Sequence, residues 1–383
     1  MAQPRPLTTL SILSLSTVSA ISTVITGVIP ALKTAFPTVA TTWIELVVTI
    51  ANFSALATLL ANPRLTARFG IRKVVISGLL LSAIAGCGPL LDLSFAWLMV
   101  SRLLLGLGIG LFSPHAISLI AHTYHGEQRA RLLGYQTGLS ALGNAVLLSL
   151  AGILIGSSWH HVFWLYAVLA VIAGLVWWTV PEPAVPTTTV SAHAQLPRYQ
   201  WGLIGLTFVT YLLIYGVQLK LPSLFTERQL GSSQVLNLTL AAMNIGGFVA
   251  GMTFGQLHRH LHRFTLTLGY AGAALSGGIL LVTKSAPLAI AAAIFFNFIY
   301  SYTGPYLVFT SNQGLASAQI NTLSSYLTVA TIISAFAAPL VWNALGQIGP
   351  ATLTNNVLAW TTGCLTLIAI ITLFMKGKPA DVH

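Results

Sequence analysis

Pro63-Arg-Leu-Thr-Ala-Arg-Phe-Gly-Ile-Arg-Lys-Val74 sets four cations, Arg64, Arg68, Arg72 and Lys73, between two long apolar stretches. Basic residues in a short segment between hydrocarbon-length helices fix the side of the membrane on which it stays. The composition supports that setting. Charged residues are 6% of 383, hydrophobic residues are 55%, and the mean hydropathy is +0.84. A soluble domain carries roughly 25% charged residues. This chain cannot cover a globule with polar surface, and the lipid bilayer is the partner it fits. A net charge of +11 would suggest nucleic acid in a soluble protein. Here the cations lie between apolar spans, so topology accounts for them and no nucleic-acid partner is expected.

Apolar runs near the ~20 residues a bilayer-crossing helix needs fall at 8–31, 43–62, 74–91, 95–121, 132–155 and 161–180. Six more fall at 201–221, 234–255, 265–282, 287–310, 321–345 and 353–374. Barrel strands would instead alternate over ~10 residues. The expected fold class is an all-α membrane protein of twelve transmembrane helices in two six-helix halves, 8–180 and 201–374. Between them, 181–200 is rich in Pro, Thr and Ala and reads as an extended cytoplasmic linker. The halves echo each other: Thr26-Gly-Val-Ile-Pro-Ala-Leu-Lys33 ends the first span, and Tyr215-Gly-Val-Gln-Leu-Lys220-Leu-Pro222 ends the seventh. With the N-terminus inside, Arg5, Arg64, Arg68, Arg72, Lys73, Arg129, Arg131, Arg198, Arg259, Arg263, Lys376 and Lys378 share one side. Lys33, Lys220, Arg228 and Lys284 lie on the other. Twelve against four predicts both termini in the cytoplasm. Arg5 precedes a long apolar run without a cleavage region, so the start of the chain reads as the first span. Cys87 and Cys364 each sit in an apolar segment and are expected as reduced thiols.

Within the opening stretch, Leu65, Arg68, Gly70 and Arg72-Lys73 stand where the major facilitator superfamily has the Leu, Arg, Gly and basic pair of its loop between helices 2 and 3. That pattern also has an opening Gly and an Asp, whose places here hold Pro63 and Ala67. Three more stretches match in order: Arg102-Leu-Leu-Leu-Gly106-Leu-Gly108, Glu127-Gln-Arg-Ala-Arg-Leu-Leu-Gly134, and Trp159-His-His-Val-Phe163. The second half offers Gly255-Gln-Leu257, with Arg259 at the acidic position. The chain thus resembles that superfamily, and within it the bacterial drug:proton antiporter branch. It departs from that branch in the fifth span, where Gly134, Gly138 and Gly143 are present, Asn144 follows Gly143, and no proline occurs. The resemblance implies a secondary transporter without cofactor, working by alternating access as a monomer in a bacterial plasma membrane.

Candidate site residues follow from charge and from helical faces. Arg102 lies within a span, where a cation costs at least ~2.5 kcal/mol and must face protein or water. The resemblance assigns the matching Arg to coupling of proton movement. Glu45 is the one carboxylate that fits within a span. It reads either as the acid of a capping box Thr42-Trp-Ile-Glu45 or as a second coupling residue, since a desolvated Glu titrates near neutrality. Lys33 and Lys220 occupy matching outer ends, snorkelling to the interface or drawing an anion. Tyr211, Tyr215 and Gln218 share one helical face, as do Asn297, Tyr300 and Gly304 with Tyr306 beyond. The resemblance places those helices, with the first and fourth, around the substrate cavity. Gln136, Asn144, Asn244 and His115 are further candidate contacts; for His115 a packed, hydrogen-bonded side chain is the commoner case and a proton relay the alternative. Arg68, Gly70, Arg72, Glu127 and Arg129 form the expected inner gate loop, with Glu127 partnering Arg68 or Arg72 in place of the missing Asp. His258-x-His260-x-His262 fits a metal chelate on an extended segment or, as the commoner case, a partly cationic loop. Gly247, Gly251 and Gly255 at four-residue spacing predict close helix packing.

Glu227 and Asp381 are the only acids after the linker, and both lie outside the spans. Buried cations with almost no buried carboxylate suit an amphipathic organic anion, bile-salt-like or carboxylate-bearing, or a neutral compound. The alternatives are proton-driven multidrug efflux and, more distantly, a membrane-embedded enzyme using its histidines.

Overall fold

The computed structural model describes residues 6–91, 94–124, 126–182 and 195–374. Every regular element among them is helical. Eleven helices are long and apolar enough to cross a membrane, or twelve when one bent pair counts as a single span. The chain divides into two compact units as far as their residues are described: Met1–Val190 with Ser232–Ala241, and Ser191–Gly231 with Ala242–His383. Most of the linker expected at 181–200 lies outside the described residues.

The first unit opens with the bent span. α1 (Pro6–Thr17) gives way to a 3₁₀ stretch, Ile21–Val28, and then α2 (Ile29–Ala35), with a bend of 42°. The sequence supplies the cause. Ser14, Thr17, Ser19, Thr23 and Thr26 each donate a hydroxyl proton to the carbonyl three residues back, over 2.6–2.9 Å. Such local bonds compete with the α-helical ladder and tighten it toward 3₁₀. α3 (Thr41–Phe69) and α4 (Ile71–Cys87) follow, then α5 (Phe95–Phe112), α6 (His115–Thr123), α7 (Gly126–Leu154), a 3₁₀ run Trp159–Ala167, and α8 (Val168–Thr179). α5 and α6 are separated at Pro114, which lacks the N–H to continue a helix.

In the second unit α9 (Arg198–Glu227) runs for 30 residues. It is followed by α10 (Ser233–Leu261), α11 (Phe264–Val282), α12 (Ala286–Tyr300), α13 (Thr303–Asn312), α14 (Ser317–Gly346) and α15 (Leu353–Phe374). α12 and α13 part just before Pro305, for the same reason as at Pro114. α9 passes through Pro222 and does not end at residue 221, so Lys220 is an interior residue of a helix and not an end residue matched to Lys33. The histidine run also differs from expectation: α10 extends to Leu261, so His258 and His260 are helical, which removes the extended chelate. Of the glycine stripe, Gly247 packs closely on Ser301 and Asn297, whereas Gly251 and Gly255 have nothing within 4 Å of an added Cβ among the described residues.

Candidate functional site

The opening stretch is almost entirely helix. α3 continues through Pro63 to Phe69, α4 starts at Ile71, and Gly70 alone makes the turn with φ 87° and ψ 152°. That conformation is essentially restricted to glycine. Gly70 has no side chain to cap α4, and a distant residue does so instead. Glu182, just beyond α8, accepts the Arg72 N–H at 3.1 Å through Oε1. A Cβ on Gly70 would come within 2.5 Å of that oxygen. The Arg72 guanidinium lies over the Trp177 ring, 4.9 Å from its centroid, and donates to the Trp177 carbonyl. A carboxylate at a helix N-terminus meets both the free N–H groups and the positive end of the dipole. Glu182 thus caps α4 through the Arg72 backbone, whereas Glu127, expected to partner Arg68 or Arg72, is exposed in the first turn of α7 with Arg129 and pairs with neither among the described residues. Arg68 packs over Phe69 at 5.2 Å.

Arg102 is fully buried in the first unit. Its Nε donates to the Val47 carbonyl at 3.2 Å, Nη1 to the Tyr166 hydroxyl at 2.8 Å and Nη2 to the Ser22 carbonyl at 2.9 Å. Tyr166 in turn donates to the Ile21 carbonyl at 3.3 Å and lies beneath the guanidinium at 5.1 Å. Ser22 and Ile21 belong to the 3₁₀ stretch of the first span, where the disrupted ladder leaves carbonyls in need of donors. Arg102 thus stitches the first, second and sixth spans together at the bend. The Gly106-x-Gly108 that follows it admits close neighbours: a Cβ on Gly106 would run into the Ala51 carbonyl of α3, and one on Gly108 into Gly78 and Ser82 of α4. Snorkelling is excluded by this geometry.

Glu45 is 0% exposed. α3 begins at Thr41 with Ala40 as its cap and no side-chain cap bond, so Thr42 and Glu45 form no capping box there. The expected box fails because the helix starts at Thr41, two residues early, and carries Glu45 into the protein. Lys33, in the last turn of α2, is half-buried.

His115 is a packed, bonded residue. Its Nδ1 lies 2.9 Å from Ser118 Oγ and its Nε2 2.8 Å from Asn62 Oδ1. Asn62 donates through Nδ2 to the carbonyls of Gly110 at 3.1 Å and Leu111 at 2.9 Å. Those are the acceptors stranded by the break at Pro114, and Asn62 supplies the missing donors. With Nδ2 so committed, Oδ1 accepts and His115 Nε2 carries the proton. Asn144 is buried with its amide 3.3 Å from the Thr23 hydroxyl, beside a Ser19–Ser140 hydroxyl pair at 2.6 Å. Gln136 is half-buried on the same helix.

In the second unit Lys220 is 1% exposed and donates to Asn343 Oδ1 at 2.5 Å. Gln218 donates to Asn297 Oδ1 at 3.0 Å, and Asn297 to the Met243 carbonyl at 2.6 Å. Tyr300 donates to the Thr210 carbonyl and stacks on Phe296 at 5.5 Å. Tyr211 approaches Gly304, whose added Cβ would be 3.1 Å from the hydroxyl. Tyr215 and Asn244 are half-buried. The two tyrosine stripes therefore join α9 to α12 and α13, with Lys220 and Gln218 above them on α9. Tyr306 stands apart, edge-on to His258 at 5.6 Å.

At the far end of α9, Glu227 and Arg228 act on two other helices. Glu227 accepts from Thr352 at 3.2 Å and Thr354 at 2.5 Å, at the N-terminus of α15. Arg228 donates to the Leu280, Leu281 and Thr283 carbonyls at 2.6–2.8 Å, at the C-terminus of α11, and to Asn355 at 2.6 Å. Each charge sits on the helix end whose dipole it complements. Both free cysteines are half-buried; Cys87 Sγ lies 3.6 Å from the Phe163 carbonyl.

Residues 10–342 match the family described as Major Facilitator Superfamily. The chain belongs to the major facilitator superfamily. Superfamily relatives include a methylenomycin A resistance protein of Bacillus subtilis (strain 168), 29% identical over 169 residues, covering 44% of this chain and 35% of that protein. A cis,cis-muconate transport protein of Acinetobacter baylyi is 27% identical over 257 residues, covering 61% of each. The chain thus spans under two thirds of the length of these relatives. Among solved superfamily structures, a bacterial homolog of the human lysosomal transporter Spinster, in an inward-facing and occupied conformation, superposes with a TM-score of 0.78 at 16% identity over 95% of each chain. The xylose transporter XylE from E. coli gives 0.70 at 15% identity. These relatives are named for transport or resistance, which sets the enzyme alternative aside.

Proposed function

We propose that this chain is a secondary transporter moving an amphipathic organic anion, or a neutral compound of similar size, across the bacterial plasma membrane by alternating access. The six-helix halves 8–180 and 201–374 rock about a midplane site, both termini are cytoplasmic, and the monomer is the working form. The observation that carries this reading is the distribution of buried charge. Arg102 and Lys220 are buried at 0% and 1% exposure. Among the described residues of the second unit the sole carboxylate, Glu227, is exposed and bonded to two threonines. In the second unit a hydrophobic cation would meet no buried carboxylate among the described residues, whereas an anion would meet the Lys220 donor. Support also comes from relatives: a cis,cis-muconate transport protein, and a probable chloroplastic anion transporter of Arabidopsis thaliana, 36% identical over 105 residues. Glu45, fully buried in the first unit, is the group we assign to proton coupling.

A second reading, proton-driven efflux, is favoured by the two methylenomycin A resistance relatives. One experiment separates them. Proteoliposomes holding the purified chain are given an imposed pH gradient and labelled cis,cis-muconate or tetraphenylphosphonium. Gradient-dependent muconate uptake, abolished by Glu45→Gln, supports the first reading. Movement of the phosphonium alone supports efflux.

A further inference from the structure

Polar side chains on a hydrocarbon-length helix need protein, water or a ligand, because lipid offers them no partner. On α9, Tyr211, Tyr215 and Gln218 share one face, and all three are only half-buried. Neither of those tyrosine hydroxyls makes a hydrogen bond among the described residues. Two neighbouring tyrosines differ. Tyr300 donates to the Thr210 carbonyl. Thr210 spends its own proton on the Leu206 carbonyl at 2.6 Å, so Tyr270 donates to the Thr210 hydroxyl at 2.5 Å. The Gln218 amide has a forced orientation. The Met243 carbonyl can only accept, so Asn297 turns Nδ2 to it, at 2.6 Å, and keeps Oδ1 for Gln218. That oxygen also only accepts, so Gln218 must supply Nε2, at 3.0 Å. Gly247 leaves room for the relay: an added Cβ would lie 3.1 Å from Asn297 Nδ2. Gln218 Oε1 is the end left over, and it makes no hydrogen bond among the described residues.

We propose that this face of α9 selects a hydroxylated organic anion. Gln218 Oε1 accepts the substrate's hydroxyl proton, and the Tyr211 and Tyr215 hydroxyls donate to its anionic oxygens, where charge strengthens the bond. Asn297 is the positioning residue that decides which end of the Gln218 amide is offered. An amide free to rotate would present N–H or C=O as the substrate required, and would not tell a hydroxyl from a carbonyl. The relay from Met243 through Asn297 removes that freedom, so a substrate without a donor leaves Oε1 unmet. This selection rests on the transport reading above and narrows its substrate class. cis,cis-Muconate, which has no hydroxyl, should be carried more slowly than a hydroxylated acid of similar size.

The test compares uptake into proteoliposomes within pairs that differ by one hydroxyl: mandelate and phenylacetate, lactate and propionate, lithocholate and cholanate. In at least one pair the hydroxylated member should have the lower KM by at least tenfold, since a site left with an unmet acceptor rejects the analogue. Gln218→Leu and Asn297→Leu should each bring that ratio below threefold by raising KM for the hydroxylated member, with the maximal rate kept. A folding defect would instead lower the maximal rate for both members, and the other variant then carries the comparison. Equal KM within every pair, or a ratio that survives the substitutions, overturns the selection. If the parent chain takes up no probe, the transport reading fails alone, and equilibrium dialysis of the same pairs against the purified protein decides. There a tenfold preference in Kd that both variants lose supports the selection; equal binding, or none, overturns it.

Discussion

Replacing Gly70 with alanine tests the turn at its tightest point. Two terms enter the magnitude. The backbone there has φ 87° and ψ 152°, a region essentially closed to residues with a Cβ, at a cost of order 1–3 kcal/mol. The new methyl would also stand 2.5 Å from Glu182 Oε1 and displace the carboxylate from the N-terminus of α4. Losing a helix cap costs about 0.5–2 kcal/mol, and because Glu182 is exposed the lower half of that range applies. Gly70→Ala should therefore destabilise by about 1.5–4 kcal/mol, and Glu182→Ala alone by about 0.5–1 kcal/mol. The two are not independent. With Glu182 already truncated, Gly70→Ala loses only the backbone term, so the double variant should fall short of the sum by the cap term, about 0.5–1 kcal/mol. Separate sites add to within ~0.3–0.5 kcal/mol, which that shortfall equals at its lower end and exceeds above it. Reversible unfolding in mixed micelles, followed by tryptophan fluorescence, supplies all four corners of the cycle. Additive losses, or a Gly70→Ala variant within 0.5 kcal/mol of the parent, would refute the capped turn.

Asn62→Leu strips the donors from the Gly110 and Leu111 carbonyls and should cost about 2–3 kcal/mol. Adding Pro114→Ala restores an N–H at the break and should recover part of that loss in the same unfolding assay; a further loss would contradict the account of the break. Arg102→Lys keeps the charge but cannot reach Val47, Ser22 and Tyr166 together, so initial uptake should fall at least tenfold at unchanged expression, with Tyr166→Phe milder. Unaltered uptake by Arg102→Lys would remove the stitched bend from the mechanism. Arg228→Lys loses the planar fork that spans three carbonyls of α11, and should lower stability by roughly 1–3 kcal/mol, measured as a shift of the unfolding midpoint.

Much of this was legible in the sequence because hydrocarbon-length runs and loop cations are local signals. The spans appear near their expected positions, and Arg102 is as buried as an intramembrane cation must be. What was not legible depends on residues far apart in the chain. Nothing about Glu182 marks it as the cap of a helix beginning 111 residues earlier, at residue 71. Asn62 reads as an ordinary helix residue until Pro114 strands two carbonyls beside it. Lys220 stands at the end of the apolar run, two residues before a proline, whereas α9 continues through Pro222 to Glu227. The breaks at residues 18–20 and 113–114 do have a sequence signature, in the Ser/Thr run and the proline, which hydropathy windows average away.

The most direct test of the account is the charge selectivity of uptake. Initial rates of labelled cis,cis-muconate and tetraphenylphosphonium are measured side by side in proteoliposomes, with the parent chain and with Lys220→Gln. The account predicts anion uptake well above cation uptake in the parent, and at least a tenfold loss of anion uptake in Lys220→Gln. Cation uptake exceeding anion uptake in the parent would contradict it.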